Sequence, residues 1–226
     1  MIKAILLDIE GTIGDIAFVR DVLFPYARAR VEAVLSARWT DAEIAATVAG
    51  ARAASGLALA DALAAAGQFI AWIEEDKKIA PLKTLQGIIW REGYQTGELK
   101  AHLYPDAVEA MRAWHERGLD LYIYSSGSVE AQELYLTHSI AGDLEPLISG
   151  FFDTMTGPKA EAASYKKISW SMVLIPEEIA FFSDAPAETA AARAAGFEAY
   201  DVDRKLPSAL AASGVIASFA SVIDKF

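Results

Sequence analysis

Apolar positions along this chain recur at two spacings. Residues 2–7, Ile2-Lys3-Ala4-Ile5-Leu6-Leu7, form a short apolar run closed by Asp8 and followed by Gly11, which predicts a buried strand of the parallel-sheet kind that ends in a turn. From residue 18 to about residue 99 the texture changes to Ala, Leu, Arg and Glu, and spacings such as Val19, Val22, Leu23 and Tyr26 suit helices. Breaks fall at Trp39-Thr40-Asp41-Ala42-Glu43, which has the form of a capping box, and at Pro81, a first-turn proline for a helix carrying Leu85, Ile88 and Ile89. The alanine-rich tract over residues 58–66 is expected to be ordinary helix.

Beyond Tyr104-Pro105-Asp106 the two spacings alternate. A helix is predicted over residues 107–117, then a strand over 119–124 that runs into Ser125-Ser126-Gly127-Ser128. A helix at 130–138 leads to a loop holding Phe151-Phe152-Asp153, and a further helix spans 160–173. The strand at 179–182 ends at Ser183-Asp184; a helix at 188–195 and a strand at 197–202 complete the series. Strands alternating with helices predict an α/β fold, a doubly wound parallel sheet formed by residues 1–14 and 103–226. The inserted all-helical segment, residues 15–102, is expected to stand over the sheet's C-terminal edge as a cap.

With 226 residues, 54% of them hydrophobic, the chain can bury a full core, either as one domain with a large insertion or as two small ones. It has no cysteine, so thiolate metal sites and thiol catalysis are excluded and a metal must rest on oxygen or imidazole. His102, His115 and His138 lack metal-ligand spacing. The acid at position 8 interrupts the N-terminal apolar run too early for a signal peptide or a membrane span, and a cytoplasmic protein is expected. A formal charge of −11 argues against nucleic-acid and anionic-membrane partners, which require clustered Lys and Arg.

Three predicted strand ends carry reactive groups: Asp8 and Glu10 after the first, Ser125 and Ser126 after the second, Asp184 after the third. Carboxylates two residues apart beyond a strand can approach one reacting centre, one attacking while the other moves protons. A carboxylate attacking phosphorus needs the substrate's charge reduced, and Mg²⁺ held by Asp8 and Asp184 would do so. Ser125 and Ser126, with Gly127, either cradle a phosphate at a helix start or merely cap that helix. Lys159 sits where a helix is expected to open, a locally unfavourable place for a cation that suggests an anion nearby; the plainer alternative is a surface lysine. Lys77-Lys78 and Lys166-Lys167 are simplest as solvated helix faces.

Strand–Asp-x-Glu-Gly-Thr, strand–Ser, Lys, strand–Asp, in that order, resembles the four motifs of the haloacid dehalogenase-superfamily phosphatases. The strings Asp8-Ile9-Glu10-Gly11-Thr12, Phe24-Pro25-Tyr26, Leu85-Gln86-Gly87, Tyr124-Ser125-Ser126-Gly127-Ser128 and Lys159-x-Glu161-x-x-Ser164-Tyr165 resemble the enolase-phosphatase (acireductone synthase) family of methionine salvage. The resemblance implies a Mg²⁺-dependent monomer that enolises 2,3-diketo-5-methylthiopentyl-1-phosphate and then dephosphorylates it to the acireductone. It implies Asp8 as nucleophile and metal ligand, and Glu10 as general acid/base, with its carboxylate or its main-chain carbonyl near the metal. It further implies Ser125 and Ser126 as substrate-binding groups, Lys159 as the cation that neutralises the phosphoryl group and restrains Asp8, and Asp184 as the remaining metal ligand. Leu85, Gln86, Gly87 and Trp90 either line a lid over the substrate's tail or pack the cap's helices. The family pattern is departed from at Ile13, at residues 185–189, where Glu188 offers a replacement carboxylate, and at residues 203–207. Two alternatives stand beside this function: a phosphatase or dehalogenase acting on another small molecule, and a phosphate-ligand-binding module without turnover.

Overall fold

In a computed structural model, which describes residues 1–206 and 214–226, the chain separates into two compact units. One comprises Met1–Ile16 with Lys100–Phe226, the other Ala17–Leu99.

The first unit is built on β1 (Ala4–Leu7), β2 (Asp120–Tyr124), β3 (Ile148–Phe152), β4 (Ile179–Ser183) and β5 (Glu198–Asp201), ordered β3-β2-β1-β4-β5. Every pairing is parallel. β1 and β4 are buried along their whole length, which is why they are continuous apolar runs with no polar alternation. One face carries Leu6, Tyr124 and Phe181 against Tyr165 and Ile168 of α8 (Ala162–Met172) and Ala192 of α9 (Pro186–Ala194). On the other face Trp114 of α6 (Pro105–Glu116) stacks on Phe182 at 5.6 Å. α7 (Val129–Thr137) links β2 to β3. Because β1 has β2 on one side and β4 on the other, the chain leaves its C-terminal end where crossovers diverge to opposite directions, the place where open parallel sheets leave a crevice.

The second unit is helical: α1 (Ile16–Phe18, beginning at its border), a π-turn over Val19–Leu23, α2 (Phe24–Ala37), α3 (Ala42–Ser55), α4 (Ala62–Glu74) and α5 (Ala80–Gln95). Its core joins Val31, Leu35, Ile44, Phe69, Leu85 and Ile88.

Several local expectations change. Phe151 and Phe152 lie in β3, not in a loop; Ser149 and Gly150 break the apolar run of this partly exposed edge strand, so its pattern is faint. The cap before α3 is Asp41, whose carboxylate accepts from the Glu43 N–H at 2.8 Å, rather than a Thr40–Glu43 box. The 58–66 alanine tract is helical from Ala62 onward and not before, since Leu59 has a positive φ of 41° and Asp61 caps α4. Pro81 does occupy the first turn of α5.

Candidate active site

Asp8 follows β1 directly, its N–H donating to Phe182 O at 3.0 Å, so the adjacent strand sets the point at which the chain turns away from the sheet. The turn closes on itself: the Ile9 carbonyl accepts from the N–H groups of Thr12, Ile13 and Gly14. This folds the Thr12 hydroxyl back to donate to Asp8 Oδ2 at 2.9 Å while it accepts from the Asp184 N–H at 3.0 Å. One hydroxyl therefore ties the acid after β1 to the backbone after β4. Asp8 is 3% exposed.

The second oxygen of Asp8 is held by Lys159, whose Nζ lies 2.5 Å from Oδ1 and 2.8 Å from Glu188 Oε2. Lys159 is 8% exposed. It precedes the N-cap of α8, Glu161, and so lies in the connecting loop rather than at the opening of the helix. The anion it meets consists of two carboxylates. Burial alone would lower the ammonium's pKa, but the charges of Asp8 and Glu188 outweigh it and hold the pKa above the ordinary lysine range. Glu188 is fixed in turn by the Ser183 hydroxyl at 2.8 Å, and its carboxyl is pushed up by burial and by the Asp8 charge.

Ser125 is buried at the end of β2. Its hydroxyl donates to Glu10 Oε2 at 3.1 Å and accepts from the Gly127 N–H at 3.1 Å. The helix cap is supplied by Ser128, whose hydroxyl accepts from Ala131 N at 3.3 Å, so capping does not account for Ser125. Ser126 is exposed. Burial, reinforced by the Asp8 charge, raises the Glu10 carboxyl above the ordinary range; a carboxylic acid that keeps its proton nearer neutral pH is suited to protonating a leaving oxygen.

Asp184 directly follows β4, and its carboxyl is pushed up to about 6 by partial burial and by the charges of Asp8 and Glu188. The Asp8 charge thus raises the carboxyls of Glu10, Asp184 and Glu188, and Lys159 is the cation that opposes each rise. That excess of negative oxygen donors suits a hard divalent cation. Among the described residues no three His, Asp or Glu side chains form a ready cage, consistent with Glu10 turning its carboxylate to Ser125. Asp8, Asp184 and a main-chain carbonyl, completed by water, would suffice for Mg²⁺, which takes few protein ligands.

Gly11 makes room for this arrangement. Its φ is +77°, and a Cβ there would lie 2.1 Å from Asp184 Oδ2. Gly11→Ala is expected to displace the Asp184 carboxylate and to lower kcat by about 100-fold, the scale of an ångström-sized misplacement at a reacting centre. Turnover measured across a Mg²⁺ titration checks this.

Nothing in the sequence marks Glu188 as the partner of Lys159, since an acid in the first turn of α9 is what ordinary helix-dipole preference also produces. Ile13, one of the departures from the family pattern, is fully buried as an apolar core member. In the helical unit Leu85 belongs to the core, Gln86 and Gly87 are buried, and Trp90 donates to Leu23 O at 2.9 Å. Of residues 203–207, Pro207 lies outside the described residues.

Residues 2–196 match the haloacid dehalogenase-like hydrolase family. An enolase-phosphatase E1 of Pseudomonas aeruginosa (strain UCBPP-PA14) is 50% identical over 222 residues, 98% of each chain. The enolase-phosphatase E1 of Aquifex aeolicus (strain VF5) is 50% identical over 200 residues, 88% of each chain. Among solved structures, the UTR4 protein of Saccharomyces cerevisiae superposes with a TM-score of 0.81 at 30% identity, covering 98% of this chain and 100% of that one.

Proposed function

Since the chain belongs to the haloacid dehalogenase-like hydrolases and, within them, to the enolase-phosphatase family, we propose that Asp8, Glu10 and Lys159 carry out its reaction, with Ser125 and Ser126 on the substrate side. The enzyme is an acireductone synthase. It enolises 2,3-diketo-5-methylthiopentyl-1-phosphate and then removes the phosphate. The observation that carries the residue assignment is the shared edge itself: a buried Asp8 neutralised by Lys159 beside a Glu10 whose carboxyl is raised.

In the phosphatase stage Asp8 Oδ attacks phosphorus. A P–O bond forms to the carboxylate while the bond to the substrate's oxygen breaks, and Glu10 gives that oxygen its proton. Glu10, now a carboxylate, takes a proton from the water that attacks the aspartyl-phosphate; phosphate leaves and Asp8 is regenerated. Lys159 draws negative charge from the transferring group and keeps Asp8 in one orientation through Oδ1, while Thr12 holds Oδ2. Mg²⁺, when held by Asp8, Asp184 and the Glu10 main-chain carbonyl, supplies further neutralisation of the phosphoryl oxygens. In the enolisation stage Glu10 is the group assigned to move the proton, its extra methylene relative to Asp extending its reach. Glu10→Gln, with enol absorbance and phosphate release followed separately, is expected to slow both stages by about 100-fold or more; loss of neither stage would remove Glu10 from the mechanism.

Metal binding requires the Asp184 carboxylate unprotonated. As its pKa is raised from 3.8 to about 6, the proton competes with Mg²⁺ below pH 6. The Mg²⁺ dissociation constant is therefore expected to be about tenfold weaker at pH 5 than at pH 7. Calorimetric titration without substrate measures this; a constant affinity across that window would take Asp184 out of the metal site.

The same proposal has the enzyme acting in the cytoplasm as a monomer on a small phosphorylated molecule, with neither nucleic acid nor membrane as partner. Among the described residues no helix is long and apolar enough to cross a membrane. The test of function is an assay with Mg²⁺ on the diketo phosphate, following enol absorbance and phosphate together: both signals are expected, and release from generic phosphate esters alone would reassign the substrate.

A further inference from the structure

The turn that carries Asp8 is held from outside by a part-buried ion pair. Arg204, just beyond β5, donates from Nε at 2.8 Å and from Nη2 at 2.6 Å to the Thr12 carbonyl, and from Nη1 at 2.7 Å to Asp106 Oδ2. Its side chain is 9% exposed. Asp106, in the first turn of α6, also accepts from the Ser218 hydroxyl at 2.6 Å and from Phe219 N at 2.8 Å. The guanidinium lies 4.3 Å from the centre of the Tyr104 ring and 4.8 Å from that of Phe219, and Tyr104 N donates to the neighbouring Ile13 carbonyl at 2.9 Å. Three segments distant in sequence thus converge on the peptide of Thr12.

Thr12 is the residue whose hydroxyl spans Asp8 Oδ2 and the Asp184 N–H. Rotation of its peptide would move that hydroxyl away from both. A planar guanidinium with two N–H groups on one carbonyl and a third on a fixed carboxylate resists such rotation better than a single ammonium contact, because its donors are locked in one plane. Burying a charge to secure one turn carbonyl is an expensive way to build a fold; it is a direct way to hold a nucleophile in register.

We propose that Arg204 is a positioning residue for phosphoryl transfer, which acts by clamping the Thr12 peptide and, through the Thr12 hydroxyl, fixing Asp8 against Asp184. This rests on Asp8 being the nucleophile. Arg204 meets neither phosphate nor metal in this role, so its removal changes the turnover step and leaves substrate binding alone.

The experiment uses the full chain with Mg²⁺ and the diketo phosphate. Arg204→Lys is expected to lower kcat by about tenfold or more with KM within about twofold, since sub-ångström displacement at a reacting centre costs turnover first. Thr12→Val lowers kcat as well. In the Thr12→Val background Arg204→Lys costs little more, because the link it works through is already gone. A Leu144→Ala control, buried elsewhere in the same unit, lowers Tm while kcat is kept, which separates positioning from general destabilisation. Should Arg204→Lys fail to fold, Asp106→Asn loosens the same clamp and is expected to lower kcat by about threefold with KM unchanged. Losses that multiply in the Thr12→Val Arg204→Lys double variant, or a wild-type kcat in the folded single variants, would overturn the proposal. If Asp8→Asn itself retains phosphate release, the nucleophile assignment falls first; if Asp8→Asn is inactive while Arg204→Lys turns over normally, only the clamp falls.

Discussion

Asp8→Asn is expected to reduce phosphate release by roughly 1000-fold or more, the scale on which loss of a nucleophile is felt when the rest of its site is intact. The amide is nearly isosteric: its oxygen can still accept from Lys159 and its NH₂ can donate to the Thr12 hydroxyl, in the places of the two carboxylate oxygens held at 2.5 and 2.9 Å. Geometry is therefore preserved while the attacking charge is lost, and substrate binding should persist in a trapped form. A second readout needs no turnover. The Asp8 charge is one cause of the raised Asp184 carboxyl, after partial burial. In the metal-free Asp8→Asn protein Asp184 should therefore titrate below its wild-type value of about 6. An NMR titration of the Asp184 carboxyl carbon follows this directly. Activity that survives the substitution would move the nucleophile elsewhere, whereas an unmoved Asp184 titration would show that the two carboxylates do not share a site.

The parts of the site that were legible in the sequence are those whose position follows from chain direction alone. Asp8, Ser125 and Asp184 each come at or just after the end of a strand, and in a parallel sheet every strand's C-terminal end lies on one edge, so the apolar runs before them were enough to bring them together. β1 and β4 were clear because burial on both faces makes them apolar throughout. β3 was missed because an edge strand with Ser149 and Gly150 in it has no such requirement. The partners of the reactive groups were harder to read. Glu188 against Lys159, Ser125 against Glu10 and Arg204 against Thr12 join residues separated by 29, 115 and 192 positions respectively, with the first separation taken from their sequence numbers. Nothing periodic marks such pairs; each depends on side-chain reach across crossovers whose lengths the pattern leaves undetermined. Lys159 illustrates the limit. Its neighbourhood suggested an anion through the wrong cause, a helix terminus, when the anions are two carboxylates brought in from β1 and α9.

Lys159→Met is expected to lower the stability of the metal-free protein by about 3–5 kcal/mol near neutral pH, since it removes one partner of a buried ionic cluster and leaves the others facing each other. Met keeps the aliphatic stem, so the loss is electrostatic rather than a packing defect. Its pH dependence is diagnostic. In the wild type the Lys159 pKa is held above its unfolded value of 10.5, so its contribution is fully present below that value and fades only as the pH rises through the folded pKa. In the variant the carboxyls of Glu188 and Glu10, already raised, lose a cation that lowers them and rise further. The folded state then binds protons that the unfolded state has released. The deficit should therefore grow as the pH rises from 5 to 8 and shrink as it falls, since protonation neutralises the carboxylates that Lys159 no longer pairs with. Mg²⁺ should restore part of the lost stability by binding the folded state alone. Urea unfolding at pH 5, 6, 7 and 8, with and without Mg²⁺, measures each of these; a deficit that is constant with pH and indifferent to Mg²⁺ would mean that Lys159 is held for its packing and not for its charge.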